Sequence, residues 1–351
     1  MTAARALPEP ELRAWIADTR RLLERIEGAL SPANDTGETV DEWFERWIAD
    51  RSRLGHDAEH EQLTYRRWLA PRLGELRVTG QLRGPVDDWV HWIEGRVDDG
   101  ALHGTTAWRV WTVLAAMLRD MYAARNRGLR VRVDNPAPDV RGPPRGTPRV
   151  GTFLYPSEFL RLASCARVSL VERRLYAVAV YLYPRLGELA ALRWEDIDLP
   201  TGRVHIHRSV TRLGLEKSLK RGEDRQFVAE RAVLPLLRAM RRGAQGDVLF
   251  PDIDRQNAAP NLRAALRRAG CKRADLYADD ERRRPLTFHD LRATGITWQA
   301  MRGDNPTAIL ERVGHTHLST TERYLRRGRL MALAQGERVF PPLPLLGRTK
   351  K

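Results

Sequence analysis

Two histidines, an arginine and a tyrosine cluster near the end of this chain. They occur in Thr287-Phe288-His289-Asp290-Leu291-Arg292, in Gly314-His315, and at Tyr324, nine positions after the second histidine. Such a set can act on a DNA phosphodiester without a metal. Attack on phosphorus builds negative charge on the nonbridging oxygens, and fixed cationic donors stabilise it. Arginine suits this because its planar fork is permanently charged and grips two oxygens at once. The phenol is the nucleophile, once neighbouring positive charge or a base overcomes its ordinary pKa of about 10. Ser319 and Glu322 form an S-x-x-E capping box, which places Tyr324 about one turn into a short helix.

Arginine alone says little here, because only five of the 60 basic residues are lysine. Context selects Arg292, three positions after His289, and Arg185, three before Glu188, each pair on one helical face. Lysine carries the opposite statistic. Besides Lys272 and the terminal Lys350 and Lys351, the chain holds only Lys217 and Lys220. A departing 5′ oxygen needs a proton, which ammonium can give up and guanidinium in practice cannot. Lys220 lies five residues before Arg225 in a strand-and-turn context, and Lys217 is its rival.

Taken together, Arg185-Leu186-Gly187-Glu188, the hairpin Lys220, His289-x-x-Arg292 and the G-H-x8-Y block from Gly314 to Tyr324 resemble the active site of the tyrosine recombinases, the phage integrase family. The resemblance runs from about residue 150 to 327. It implies that Arg185, Lys220, His289, Arg292, His315 and Tyr324 are the catalytic residues, with Glu188 as the supporting acid. It also implies a site-specific recombinase that cuts and rejoins double-stranded DNA through a 3′-phosphotyrosyl link, with no metal, ATP or other cofactor. Four protomers on two duplexes would exchange strands, with accessory DNA-bending or directionality proteins as further partners. One departure stands out: the family usually carries Thr-Gly-Leu or Thr-Gly-Met before the first arginine, and here the residues are Leu182-Tyr183-Pro184. Pro184 removes a backbone donor beside Arg185, so a local difference is expected there. Two other readings stay open, a type IB topoisomerase and a noncatalytic DNA-binding relative.

Composition agrees with a polyanionic partner. The net charge of +15 is uneven: residues 1–150 hold 23 basic and 23 acidic residues, whereas residues 151–351 hold 37 and 22. Residues 66–150 are themselves basic, 15 against 9, so two cationic surfaces are expected to grip DNA. Two cysteines without C-x-x-C spacing argue against a disulfide framework or zinc finger. No apolar run is long enough for a membrane span, which predicts a cytoplasmic protein working on nucleoid DNA.

The elements that must position these residues follow from periodicity. The stretch from Val133 to Pro148 holds five prolines and two glycines and reads as a linker. It separates an N-terminal extension (1–37) and a helical domain (38–132), which the resemblance implies is the family's core-binding domain, from the catalytic domain (152–327) and a tail (328–351), with the linker at 133–151. Residues 9–30 read as an amphipathic helix. Val40, Trp43, Phe44, Trp47 and Ile48 form one helical stripe, and Trp108, Trp111, Thr112, Ala115 and Leu118 another. Beyond the linker, residues 157–166 and 172–183 read as helices, 202–210 as a strand pairing with 225–228 across a turn at Gly222, and helices resume at Arg231. His205 and His207 share one strand face, but no third ligand is near in sequence, so no metal site is expected. The fold class is therefore mainly α with a small antiparallel β-sheet (α+β), and the resemblance implies two domains closing on DNA as a C-shaped clamp. Residues 326–339 would form a helix in the tail, docking on a neighbouring protomer or on their own.

Overall fold

The computed structural model describes Thr19, Arg21, residues 37–54, 58–78, 81–211, 214–219, 224–314, Glu322, Tyr324 and 339–344. It divides into two compact units, residues 1–148 and 149–351. The expected helix at 9–30 lies outside the described residues, apart from Thr19 and Arg21, both helical.

The first unit is helical. Helix α1 (Val40–Arg53) starts at a capping box in which Thr39 and Glu42 satisfy each other's backbone, and it buries Val40, Trp43, Phe44, Trp47 and Ile48. Helix α2 (Ala58–Thr64) runs through a π-helical turn, Tyr65–Leu69, into the short α3 (Ala70–Leu73). Helices α4 (Arg83–Asp98) and α5 (Gly104–Ala123) complete the bundle. The stripe expected on α5 is met at Trp111 and Leu118, which are buried, and at Trp108 and Ala115, which pack half-buried against the same core, but not at Thr112. The buried face is Ala107, Val110, Trp111, Leu114, Met117, Leu118 and Met121, whereas Thr112 is exposed and Trp108 half-buried. The linker is less extended than its prolines suggest, with a 3₁₀ turn at Ala137–Asp139 and Val140 buried in the first core.

The second unit is mixed. Helices α6 (Pro156–Ser164) and α7 (Leu170–Leu182) lead to the short α8 (Leu186–Ala191). Strands β1 (Ile197–Asp198), β2 (Arg203–Ile206) and β5 (Arg225–Val228) form an antiparallel sheet in the order β1-β2-β5. Strands β3 (Arg208–Val210) and β4 (Glu216–Ser218) form a separate antiparallel pair. The strand expected over 202–210 is thus two, split at His207, because the chain changes partners there: β2 pairs with β5 and β3 with β4. Helices α9 (Leu234–Arg242), α10 (Ala258–Arg268), α11 (His289–Arg302) and α12 (Pro306–Val313) follow. Buried residues of α7 and α11 stand at the centre of one core that also takes in the inner face of the three-stranded sheet.

Candidate active site

Helix α7 ends at Tyr183, which adopts the left-handed conformation with φ 57° and ψ 26°. Pro184 keeps the residue before it out of the right-handed helix, and the chain turns sharply. Arg185 becomes the N-cap of α8: its backbone N–H donates to Glu188 Oε2 at 2.8 Å and its Nη1 to Oε1 at 2.8 Å. The side chain of Arg185 stays 42% exposed while that of Glu188 is 1% exposed. Arg185 is thus anchored at its base by a buried carboxylate while its guanidinium keeps contact with solvent.

Glu188 gathers three guanidinium groups. Arg225, at the start of β5, donates through Nη2 at 2.7 Å and Nη1 at 3.3 Å, and Arg292 Nη1 stands 3.9 Å away. Burial would raise the Glu188 pKa, but the hydrogen bonds and charge of Arg225, then the charge of Arg292, outweigh it and bring it to about 2. Arg292 is itself 1% exposed and donates to the Tyr183 carbonyl at 2.6 Å and to the Val313 carbonyl. Burial, then the nearby Arg225, lowers its pKa to about 9, which leaves it charged at neutral pH.

His289 and Arg292 come from the first turn of α11, and that end of the helix is strongly held. The buried Asp290 accepts from the Thr287 N–H at 2.7 Å, the Thr287 hydroxyl at 2.8 Å and both Nη atoms of Arg284 at 2.7 and 2.8 Å. Residues 150–154 lie alongside. Val150 N–H donates to the Arg282 carbonyl at 2.7 Å, Leu154 N–H donates to Thr294 Oγ1 at 3.0 Å, and Trp298 Nε1 donates to the Leu154 carbonyl at 2.9 Å. The His289 ring is exposed, yet desolvation by the surrounding protein, then Arg292, pushes its pKa below the ordinary value, and Arg185 and Arg284 add to this. A neutral imidazole able to accept a proton is the result.

Tyr324 is helical, half-buried and packed against the second core. Its phenol interacts electrostatically with Arg292 and Arg284. The structure therefore brings Arg185, Glu188, His289, Arg292 and Tyr324 together. Lys220 and His315 lie outside the described residues, as does Gly222. Lys217 is exposed on β4, opposite Ser209. His205 and His207 stack with ring centroids 4.3 Å apart, and His207 is tied to Asp196 at 2.9 Å. No cluster of three metal-ligating side chains occurs among the described residues.

In the sequence Arg225 stands out only as a marker for Lys220, and no motif points to Arg284 or to the backbone role of Tyr183. Arg225 carried one usable signal, a charged residue at an inward position of a strand.

Residues 152–329 match the family model described as the phage integrase family. Over 367 aligned positions the chain is 23% identical to the integrase of Mycobacterium phage L5, covering 97% of this chain and 89% of that protein. The Tn1549 transposon integrase in complex with a circular intermediate DNA aligns with a TM-score of 0.60 at 17% identity, covering 82% of this chain and 94% of that one. A lambda integrase fragment whose dimer is bound to a COC′ core site aligns with a TM-score of 0.61 at 15% identity, covering 83% and 96%. These likenesses share the fold seen here.

Proposed function

This chain belongs to the phage integrase family, and on that premise we propose how it works as a site-specific DNA recombinase. Tyr324 attacks the scissile phosphate. The bond from phosphorus to the 5′ oxygen breaks, a 3′-phosphotyrosyl link forms, and the 5′ oxygen leaves as a hydroxyl carrying a proton from Lys220. Arg185, Arg292 and His315 hold the nonbridging oxygens, and His289 accepts the phenolic proton or donates a hydrogen bond to the phosphate. A 5′-hydroxyl from a partner duplex then reverses the step, so no ATP is consumed. No metal is needed, because the guanidinium groups supply the charge that a metal would.

The observation that carries this reading is the cluster on Glu188. One buried carboxylate orients three arginines, two of which, Arg185 and Arg292, are those that the sequence resemblance assigns to catalysis, with Tyr324 in electrostatic range. The coarser domain reading follows. We propose that residues 38–132 supply a second DNA-binding surface in addition to that of the catalytic domain at 152–327, and that four protomers assemble on two sites. For the tail at 328–351, the seating of Phe340 against Tyr181 and Trp298, with ring centroids 5.4 Å from each, supports docking on its own protomer.

The test is covalent trapping in EDTA on nicked duplexes cut from the DNA flanking the gene. Wild type should form the adduct and Tyr324→Phe should not. Lys220→Ala should lose about 10²–10⁴-fold in rate, as expected for a missing general acid, and recover when the leaving 5′ oxygen is replaced by sulfur, which departs without protonation. An adduct that survives Tyr324→Phe refutes the assignment.

A further inference from the structure

The residue before Pro184 does more than turn the chain. We propose that Tyr183 is a positioning residue for the phosphate-binding site: its carbonyl sets Arg292, and its hydroxyl, through Glu230, ties down the helix that leads into Gly314-His315. The inference rests on the recombinase reading for its catalytic consequence and on geometry alone for the tie.

An aromatic residue at φ 57° is uncommon and strained. A glycine, the usual residue of the family at this place, would reach the same backbone freely, so the ring must contribute something else. It is fully buried, and α11 makes room for it. A Cβ on Gly295 would stand 2.6 Å from the Tyr183 ring and 2.1 Å from the Val180 carbonyl. The left-handed turn points the Tyr183 carbonyl inward, where it accepts from Arg292 at 2.6 Å and from Arg225 at 3.5 Å.

The hydroxyl makes the second connection. It donates to Glu230 Oε1 at 3.1 Å, just past the end of β5. Glu230 also accepts from Arg302 at 2.7 and 2.8 Å and from Arg312 at 3.4 Å. Arg312, on α12, donates further to Gln299 at 2.8 Å. The next residue, Val313, receives Arg292 on its carbonyl, and Gly314 follows with its Cα against Arg225, where an added Cβ would meet Cδ at 3.0 Å. Two routes from Tyr183 thus converge on the last turn of α12. One runs through its carbonyl and Arg292, the other through its hydroxyl, Glu230 and Arg312. Arg292 and the end of α12 are set by the same residue, one through its backbone and the other through its side chain.

Tyr183→Phe removes only the hydroxyl and keeps the ring and the turn. Three quantities are measured for wild type, Tyr183→Phe, Glu230→Gln and the double variant: the single-turnover rate of adduct formation on the nicked flanking duplex, the Kd for that duplex, and amide exchange of residues 306–313. Loss of one buried hydrogen bond should slow adduct formation about tenfold, with Kd within about twofold. The double variant should be no slower than the slower single one, because the two groups act as one unit. Exchange of 306–313 should quicken in each variant. A Tyr183→Phe rate within twofold of wild type, fully additive losses, or a Kd that weakens in step with the rate would overturn the proposal. If wild type itself gives no adduct, the recombinase reading fails, and exchange alone decides the tie: unchanged protection of 306–313 in Tyr183→Phe ends it.

Discussion

Replacing Glu188 with glutamine keeps the shape of the side chain and deletes the one carboxylate that, among the described residues, pairs with both Arg225 and Arg292. The magnitude follows from two routes. A carboxyl held at about 2 against an ordinary 4.5 corresponds to roughly 3 kcal/mol at 1.36 kcal/mol per pKa unit. Breaking a buried pair by removing one partner costs about 3–5 kcal/mol, which agrees. For a unit of this size, residues 149–351, that is a fall in Tm of about 6–12 °C. A carboxylate whose pKa is depressed by folding stabilises the protein above its unfolded value and loses that stabilisation as pH drops toward its folded value. The gap between wild type and Glu188→Gln should therefore be complete above about pH 4.5 and shrink on acidification, because a protonated Glu188 is what glutamine imitates. Thermal unfolding followed by circular dichroism at several pH values measures it. A gap below about 2 °C at pH 7, or one of constant size down to pH 3.5, would show that Glu188 is not the counter-charge of this cluster.

Other outcomes follow from the same geometry. Gly295→Ala should cost about 1–3 kcal/mol in denaturant unfolding, since its Cβ would strike the Val180 carbonyl at 2.1 Å and backbone cannot swing aside. If His289 accepts the phenolic proton, the acid limb of the cleavage rate should lie below the ordinary histidine pKa of about 6.5, because its imidazole is held neutral by its surroundings; a limb above that value removes His289 as the base. Thr294→Val should cost about 1–3 kcal/mol by orphaning the buried Leu154 N–H, read from the urea midpoint at unchanged m.

The parts of the site that share a helix or a tight turn were legible from sequence. His289 and Arg292 are one turn apart, Arg185 and Glu188 cap the same helix, and their spacing alone put each pair together. Arg225 was not, because its partner Glu188 is 37 residues away and belongs to another element. The α1 stripe was right because both tryptophans in it are core. On α5 the expected stripe lay along one edge of the buried face, because the half-buried Trp108 weighs heavily in any periodicity while the smaller Ala107 and Val110 beside it are the fully buried residues. The split at His207 escaped for a different reason: alternation of side chains continues through it, and only the hydrogen-bond partners change. Pro184 signalled that the backbone beside Arg185 is unusual, but not that Tyr183 would turn left-handed and be buried.

The seating of residues 150–154 has a mechanical consequence. Any pull that reaches the second unit along the chain from residue 148 arrives first at Arg149, paired with Asp279, and at Val150, which exchanges two backbone hydrogen bonds with 282–284, at 2.7 and 3.2 Å. Only after these, and after Thr152 and Phe153, which Arg273 holds, does load pass to Leu154, which is pinned to Thr294 and Trp298 in the middle of α11. The outer pair therefore acts as a strain relief. Tugging on the linker is absorbed at an exposed edge before it can rotate the helix whose first turn carries His289 and Arg292.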